Sequence, residues 1–388
     1  MKDERKAPKL RFKGFTDDWE QCKLGDVARI VGGGTPSTKK SEYWNGNINW
    51  FTPAEIGNQI FVSHSKKKIT ELGLLKSSAK ILPAGAILFT SRAGIGNTAI
   101  LTRNACTNQG FQSIVPYSNK LDSYFIYSES AKLKRYGETM GSGSTFTEVS
   151  GKQMKKMSLH IPNINEQAKI GNMLKILDQI ITLHEEKKRQ LERLKSALMQ
   201  KMFADKSGYP PVRFEGFSNE WEHCKLGDVA DITTGSRNHQ DSVTDGKYPF
   251  FVRSDKVERL NEYDFDTKAI LVPGDGRIGE IFHYYNGKFA LHQRVYKVDN
   301  FNGINELFLL GLFKYSFKEH ALRLNAQGTV PSLRLPMFTN WSISVPMITE
   351  QERIGVFFQK LERTISLYDH KLELLKKVKR SMLQAMFI

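Results

Sequence analysis

Apolar residues return every seventh position in two stretches of the chain. In 161–203, "IPNINEQAKIGNMLKILDQIITLHEEKKRQLERLKSALMQKMF", the line runs through Ile170, Leu177, His184, Leu191 and Leu198; in 345–387 it runs through Ile354, Leu361, Tyr368, Leu375 and Met382. Met173, Leu174, Ile180, Ile181 and Leu194 widen the first stripe, and Phe357, Phe358, Ile365, Leu372 and Val378 the second. This period predicts two long amphipathic helices of coiled-coil type. Asn165 and Thr349 stand as cap-type residues at their starts, with Glu352 at capping-box spacing from Thr349. A helix from Glu166 to Phe203 would be roughly 57 Å long, so its stripe needs a partner along its whole length. The other helix is the natural one, in an antiparallel coiled coil, and His184, which holds Tyr368's place on the heptad line, reads as a packed or rim residue rather than a ligand.

The rest of the chain shows short apolar runs broken by Gly, Pro and Asn-Gly turns, as in "ILPAGAILFTSRAGIGNTAIL" at 81–101 and "AILVPGDGRIGEIFHYYNGKFALH" at 269–292. These predict strands. "YWNGNINWF" at 43–51 and "YPFFVRSD" at 248–255 occupy comparable places, and short helices at 121–136 and 304–325 are expected to pack on the sheets.

The chain is also written twice. "LRFKGFTDDWEQCKLGDVARI" at 10–30 matches "VRFEGFSNEWEHCKLGDVADI" at 212–232 with an offset of 202, and the helical segments match with an offset of 184. The middle of the first copy is therefore 18 residues longer. Conserved ends with a variable middle suggest one architecture with two contents. "ADKSGYPPV" at 204–212 stops a helix. The expected fold is α+β: a β-rich domain over 1–160, a helix over 161–203, a linker over 204–212, a second β-rich domain over 213–344 and a second helix over 345–388, with pseudo-two-fold symmetry.

Composition narrows the function. Lys plus Arg number 57 against 41 Asp plus Glu, a formal net charge of +16, which favours a polyanionic partner, nucleic acid or an anionic membrane surface. The helices mix Glu and Asp among their bases, unlike a membrane-surface helix. No apolar run reaches membrane-span length and the start has no secretory h-region, so the expected location is the cytoplasm. Cys22, Cys106 and Cys224 form no metal-ligand spacing with the nine histidines, and no metal is expected. Cys22 and Cys224 read as small buried thiols at strand starts.

Chemistry is missing. The only Pro-Pro, Pro210-Pro211, lies in the linker rather than in an amino-methyltransferase motif, and "VGGGTPSTKK" at 31–40 lacks the spacing of a phosphate loop. Asp266-Thr267-Lys268 is a D-x-K triplet without a placed second acid. The chain reads as a binder that directs another protein's chemistry.

With that order established, the sequence resembles the specificity subunits of type I restriction-modification systems along essentially its whole length. The likeness is carried by "WEQCKLGDVARIVGGGTPSTKKSEYWNGNINW", "WEHCKLGDVADITTGSR", "IPNINEQAKIG" and "VPMITEQERIG". The second copy departs where "GGGTPS" becomes "TTGSRN". The resemblance implies two target-recognition domains, each reading one half of a split, asymmetric site in double-stranded DNA, and helices that form a spacer and dock two modification subunits. It implies that those subunits bind S-adenosylmethionine and methylate adenine at N6, that restriction subunits add ATP- and Mg-dependent translocation and cleavage, and that this chain is not an enzyme and carries no cofactor. Two like domains on a rigid spacer are expected to contact DNA about one helical turn, roughly 34–36 Å, apart.

Side chains of the base-reading type offer candidate contacts. In the first domain they are Thr35, Lys39, Lys40, Arg92, Asn97, Thr98, Asn108, Gln109, Ser144 and Thr145; in the second, Arg237, Asn238, His239, Arg253, Arg277, His292, Gln293, Arg294, Gln327 and Thr329. Arg92 and Arg277 are expected on corresponding loops. The rival reading is a stand-alone pseudo-dimeric DNA-binding protein; exposed apolar residues outside the helix seam would favour docked partners instead.

Overall fold

The structure, a computed structural model, describes residues 7–92, 94–141, 148–204, 207–325 and 331–388. It divides into two units: one takes in the chain up to Leu183 together with Leu372–Ile388, the other His184–Lys371.

In the first unit the repeated phrase builds a corner. Strand β1 (Glu20–Lys23) enters a single helical turn, α1 (Leu24–Val27), and leaves as β2 (Ala28–Gly32). Asp26 Oδ2 accepts from the Lys23 N–H at 3.0 Å and so caps the turn, while Leu24 and Val27 are buried. A Cβ on Gly25 would lie 3.0 Å from the Cβ of Lys155, so only a residue without a side chain packs here freely. Leu24, Gly25, Asp26 and Val27 thus each have their own task in one turn.

The chain continues through β3 (Trp44–Phe51), β4 (Phe61–Val62), β5 (Lys67–Ile69), α2 (Glu71–Leu75), β6 (Ile87–Phe89), β7 (Thr98–Leu101), β8 (Cys106–Thr107) and β9 (Gln112–Pro116). Helices α3 (Ser123–Ser128), α4 (Ser130–Gly141) and α5 (Gly151–Lys155) follow, then β10 (Ser158–Ile161) and the 39-residue α6 (Ile164–Met202). The sheets are β2-β9-β6-β7-β4, β5-β3-β8, and an antiparallel β1-β10 pair. Trp19, Phe89, Phe125, Ile170 and Leu174 share one core with Met386 from the C-terminal helix. Within it Tyr124 Oη donates to Asp178 Oδ2 at 2.8 Å, and Lys379 Nζ lies 2.5 Å from Asp178 Oδ1.

The second unit repeats the plan. Its elements are β11 (Glu222–Lys225), α7 (Leu226–Val229), β12 (Asp231–Thr234), β13 (Tyr248–Phe251), β14 (Val257–Leu260), β15 (Phe265–Pro273), β16 (His283–Leu291) and β17 (Val295–Asp299), then α8 (Glu306–Leu312), α9 (Lys318–Leu324), α10 (Leu335–Thr339), β18 (Ser342–Val345) and the 39-residue α11 (Ile348–Met386). One sheet has the order β12-β17-β15-β16-β13-β14, and β11 pairs with β18. The core gathers Trp221, Phe308, Phe313, Phe317, Phe338 and Phe358. Here α6 and α11 run antiparallel: Lys188 Nζ meets Asp369 Oδ1, and Lys195 Nζ meets Glu362 Oε1, each at 2.6 Å. The His184 and Tyr368 rings pack at 5.6 Å.

The expected long helices and β-rich regions are present, with corrections of detail. Both long helices begin earlier than the cap-type residues indicated. Asn163, rather than Asn165, accepts the Glu166 N–H at 3.0 Å, and Thr349 lies inside the first turn of α11. Of the heptad line, Ile170 and Ile354 are buried, whereas Leu177, His184, Leu191, Leu198, Leu361, Tyr368, Leu375 and Met382 are half-buried. Leu174, Ile181, Phe358 and Leu372 lie deeper, while Ile180, Leu194 and Val378 are exposed. The seam of a two-helix pair is narrower than the apolar stripe.

Asn286-Gly287 is no turn but part of β16, opposite Lys268 and Thr267, with Gly287 at φ 131°. The helix expected over 121–136 is broken at Glu129. That expected over 304–325 is continuous through a π turn at Phe313–Phe317. Asp122 and Asn305 cap the two copies, and Lys134 and Lys318 hold equal places beneath Gly96 and Gly279. From cap to lysine the second copy has one residue more, which the wide turn takes up. Cys22 and Cys224 are in strands, as expected, but half-buried; burial pushes the Cys22 thiol up to about 11.

Candidate nucleic-acid interface

In each unit, loops from separate parts of the sequence meet at one end of the strands. In the first, β2 ends in a run of glycines because the chain must lie against another backbone. A Cβ on Gly33 would lie 2.0 Å from Asn108 O. The Gly34 N–H donates to Thr107 O at 2.9 Å, and the Thr35 hydroxyl donates to Gln109 Oε1. The loop after β6 joins them, Ser91 N–H donating to Gly110 O at 2.8 Å and Val149 N–H to Ser91 O at 3.0 Å. Arg92 forms a bridge with Glu148. Residues 33–35, 90–92, 94–97, 107–110 and 148–149 therefore form one cluster.

The second unit builds the same cluster with other side chains. A Cβ on Gly235 would lie 2.0 Å from Leu291 O. Arg237 N–H donates to Leu291 O at 3.2 Å and Gln293 N–H to Arg237 O at 2.9 Å; Gly274 N–H donates to Arg294 O at 2.7 Å and Leu333 N–H to Gly274 O at 2.6 Å. Asp275 bridges Ser332 as Arg92 bridges Glu148. Matching these bonds sets Gly34 against Arg237, Asn108 against His292, Gln109 against Gln293 and Gly110 against Arg294.

The same matching refines the arginine correspondence. Ile95 and Ile278 are both buried, and a Cβ on Gly96 or Gly279 would lie 2.7 Å from the Cα of Lys134 or Lys318. Arg92 and Arg277 are thus on corresponding loops but two positions out of step: Arg92 matches Asp275, and Arg277 matches Gly94. Sequence reading found the loops and missed this register, for which the shared Ile-Gly was the available signal.

Among the other candidates, Lys39, Lys40, Gln109, Asn238, His239, Arg253, Gln293 and Arg294 are exposed, and Asn97 and Asn108 half-buried. Asn108 Oδ1 accepts from Gly110 N–H at 2.8 Å, which shapes its turn, and Gln293 Nε2 donates to Asn238 Oδ1 at 2.8 Å. Two candidates are withdrawn from the surface. Thr98 is buried and its hydroxyl bonds to Ser130 Oγ at 2.9 Å; His292 is buried and its Nδ1 accepts from Arg294 N–H at 2.9 Å. Burial and then Arg253 lower the His292 pKa, which favours the neutral ring whose Nδ1 accepts this bond. Ser144, Thr145, Gln327 and Thr329 lie outside the described residues.

Carboxylates that sequence reading did not single out hold the arginines of the second cluster. Arg237 Nη2 lies 2.8 Å from Asp264 Oδ1 and 3.0 Å from Glu262 Oε2; Asp264 also accepts the Leu291 N–H at 3.1 Å, so this arginine braces the loop. Arg253 pairs with Asp275 at 3.2 Å, and Arg277 with Asp255 at 2.8 Å and Glu280 at 3.1 Å. Exposed pairs of this kind are weak and screened by solvent, so Arg253 and Arg277 can exchange them for phosphate or a base edge.

Among the described residues no group of three His, Cys, Asp or Glu side chains is placed to hold a metal ion, and no helix is long and apolar enough to cross a membrane. Lys268 of the D-x-K triplet pairs with Glu306 at 3.3 Å. The clusters supply hydrogen-bonding and cationic groups on a braced backbone, which is the chemistry of recognition.

Comparison with known proteins agrees. A family model described as the type I restriction modification DNA specificity domain matches residues 16–193 and 218–377. The chain is 28% identical to the type I restriction enzyme MjaIX specificity subunit of Methanocaldococcus jannaschii, over 94% of this chain and 92% of that one. It is 32% identical to the EcoR124I/EcoR124II specificity subunit of Escherichia coli, over 45% and 43%. A crystal structure of the S subunit of a type I restriction-modification system from M. genitalium shares the fold, with a TM-score of 0.70 at 16% identity over 98% of this chain and 99% of that one.

Proposed function

Since the chain belongs to the type I restriction modification DNA specificity family, we propose that each unit reads one half of a bipartite, asymmetric DNA site and that the chain directs chemistry carried by other subunits. The observation that carries this reading is the loop cluster built twice on equivalent backbone bonds with different side chains. Gly34, Asn108 and Gly110 in one copy stand where Arg237, His292 and Arg294 stand in the other. Equal frames with unequal contents suit two different half-sites. The net charge of +16 suits a phosphate backbone.

The chain itself is taken as non-catalytic and without a cofactor. Two modification subunits would bind S-adenosylmethionine and methylate adenine at N6, and restriction subunits would use ATP and Mg, all in the cytoplasm. Support for docked subunits comes from apolar residues exposed on the long helices away from the seam, Ile176 and Leu183 on α6 and Leu367 and Leu374 on α11.

The test is single-molecule sequencing of the host's genomic DNA with and without the gene. Loss of one interrupted, asymmetric adenine-methylation motif is the expected result. An unchanged methylome in cells that express the partner subunits would overturn the reading.

A further inference from the structure

The second unit leaves open a place that the first unit fills with its own chain. In the first, residues 52–66 join β3 to β5 and carry β4, which adds in parallel beside β7 with Phe61 opposite Ile100 and Val62 opposite Leu101. Ile100 N–H donates to Ile60 O at 2.7 Å and Thr102 N–H to Val62 O at 3.0 Å. The Phe61 ring packs 5.9 Å from that of Tyr124, and Lys175 Nζ stands 5.6 Å over it. Asn49 ties down the exit of the strand, donating to Ser63 O at 3.3 Å and accepting from Ser65 N–H at 3.2 Å.

In the second unit only residues 252–256 join the counterparts, β13 and β14. Among the described residues no strand covers the equivalent edge: β16 pairs with β15, and with β13 only at Ala290 and Leu291. The register sets His283, Tyr284 and Tyr285 where Ala99, Ile100 and Leu101 lie, so Tyr284 and Asn286 turn their N–H groups to the open side. Leu307 and Leu310 replace Tyr124 and Tyr127, Gln359 replaces Lys175, and Pro249 replaces Asn49. Together with Phe358 these residues line a cavity of about 500 Å³. Tyr284 is larger than Ile100, but its hydroxyl turns to Glu306 Oε1 at 3.3 Å and the cavity persists beside it.

We infer that the second unit takes an extended segment of a partner protein as an added strand along the 283–286 edge of β16, with an aromatic side chain seated between Leu307, Leu310 and Phe358. An open strand edge offers main-chain donors that a peptide satisfies, and the pocket beside it selects a side chain. The first unit supplies the template for the occupant, an aromatic residue followed by a β-branched one. A small aromatic molecule would fill the pocket but leave the edge donors unused, which favours a peptide.

The probe is the synthetic peptide GNQIFVSH, residues 57–64 of this chain, offered to the full chain with benzoylphenylalanine in place of Phe61 for photo-crosslinking and fluorescein-labelled for anisotropy. The expected result is saturable binding with adducts on Met199, Leu310 or Phe358. Binding should weaken at least tenfold when Phe61 of the peptide is Ala. It should weaken equally in the Leu310→Trp chain, whose larger side chain fills the cavity. Asn286→Pro, which removes the other edge N–H and lies outside the cavity lining, should also lose the peptide. No adduct on these residues at millimolar peptide, or equal binding by the filled chain, overturns the inference.

Discussion

Arg11 and Glu166 meet through two parallel hydrogen bonds, Nε to Oε1 at 2.9 Å and Nη2 to Oε2 at 2.7 Å, and Arg213 meets Glu350 in the same way at 2.9 and 2.6 Å. Both carboxylates are closed to solvent. The next residue is equally committed. Gln167 accepts from Asp122 N–H at 3.0 Å and donates to Lys120 O and Pro162 O; Gln351 accepts from Asn305 N–H at 2.7 Å and donates to Gly303 O and Pro346 O. The Glu-Gln pair that opens each long helix thus fastens it to its β-rich domain.

Removing one side of such a clamp leaves a buried charge uncompensated, which costs about 3–5 kcal/mol. Arg213→Ala should therefore lower stability by an amount near the lower end of that range in urea unfolding. Arg213→Met combined with Glu350→Gln should recover much of it. Arg213→Lys should fall between, because an ammonium cannot make the two-pronged contact.

Gly96→Ala and Gly279→Ala should each disable one half of recognition. Both residues have positive φ, 92° and 66°, and an added Cβ would lie 2.7 Å from a helix Cα. The loop bearing Arg92 or Arg277 must shift to make room. The expected outcome is a methylation motif that loses definition in one half-site and keeps the other, read by methylome sequencing of each variant.

Glu362 should make stability fall in acid. Burial pushes its carboxyl up, but Lys314 and Lys195, with Nζ atoms 2.7 and 2.6 Å away, outweigh burial, and its pKa is lowered. A carboxyl lowered on folding adds stability above its unfolded pKa and loses it as pH falls through the folded one. The stability gap between wild type and Glu362→Gln should be open at neutral pH and close below the ordinary carboxylate range. A gap of constant size from pH 7 to pH 3 in chemical denaturation would contradict this.

Arg277→Ala should weaken or relax reading of the second half-site only. Arg294→Ala, if its exposed guanidinium meets phosphate, should weaken binding to all sequences alike and reduce the slope of log K against log salt by about 0.9. Titration of the assembled complex against DNA at several salt concentrations separates the two.

Heptad spacing alone made the long helices legible, since a stripe that recurs every seven residues has one way to be buried. The repeat of "KLGDV" made the duplicated corner legible as well, because its Leu, Gly, Asp and Val each meet a local demand within one turn. The loop clusters were only partly readable. Thr98 and His292 have the chemistry of base readers, yet burial engages them inside their units, and burial is a property of which strands become neighbours. Nor could spacing show that Arg92 and Arg277 stand two positions apart, since buried Ile95 and Ile278 set that register.

By itself, then, the sequence determined the order of domain and helix, their duplication and the family, because all of these rest on local periodicity and on repetition along the chain. Tertiary structure decided which carboxylate holds each arginine, which candidates face solvent, and that one sheet edge lies open where its twin is covered. Those depend on contacts between residues far apart in the chain, such as Arg237 with Asp264, 27 positions apart, and Arg11 with Glu166, 155 apart, and no local pattern records them.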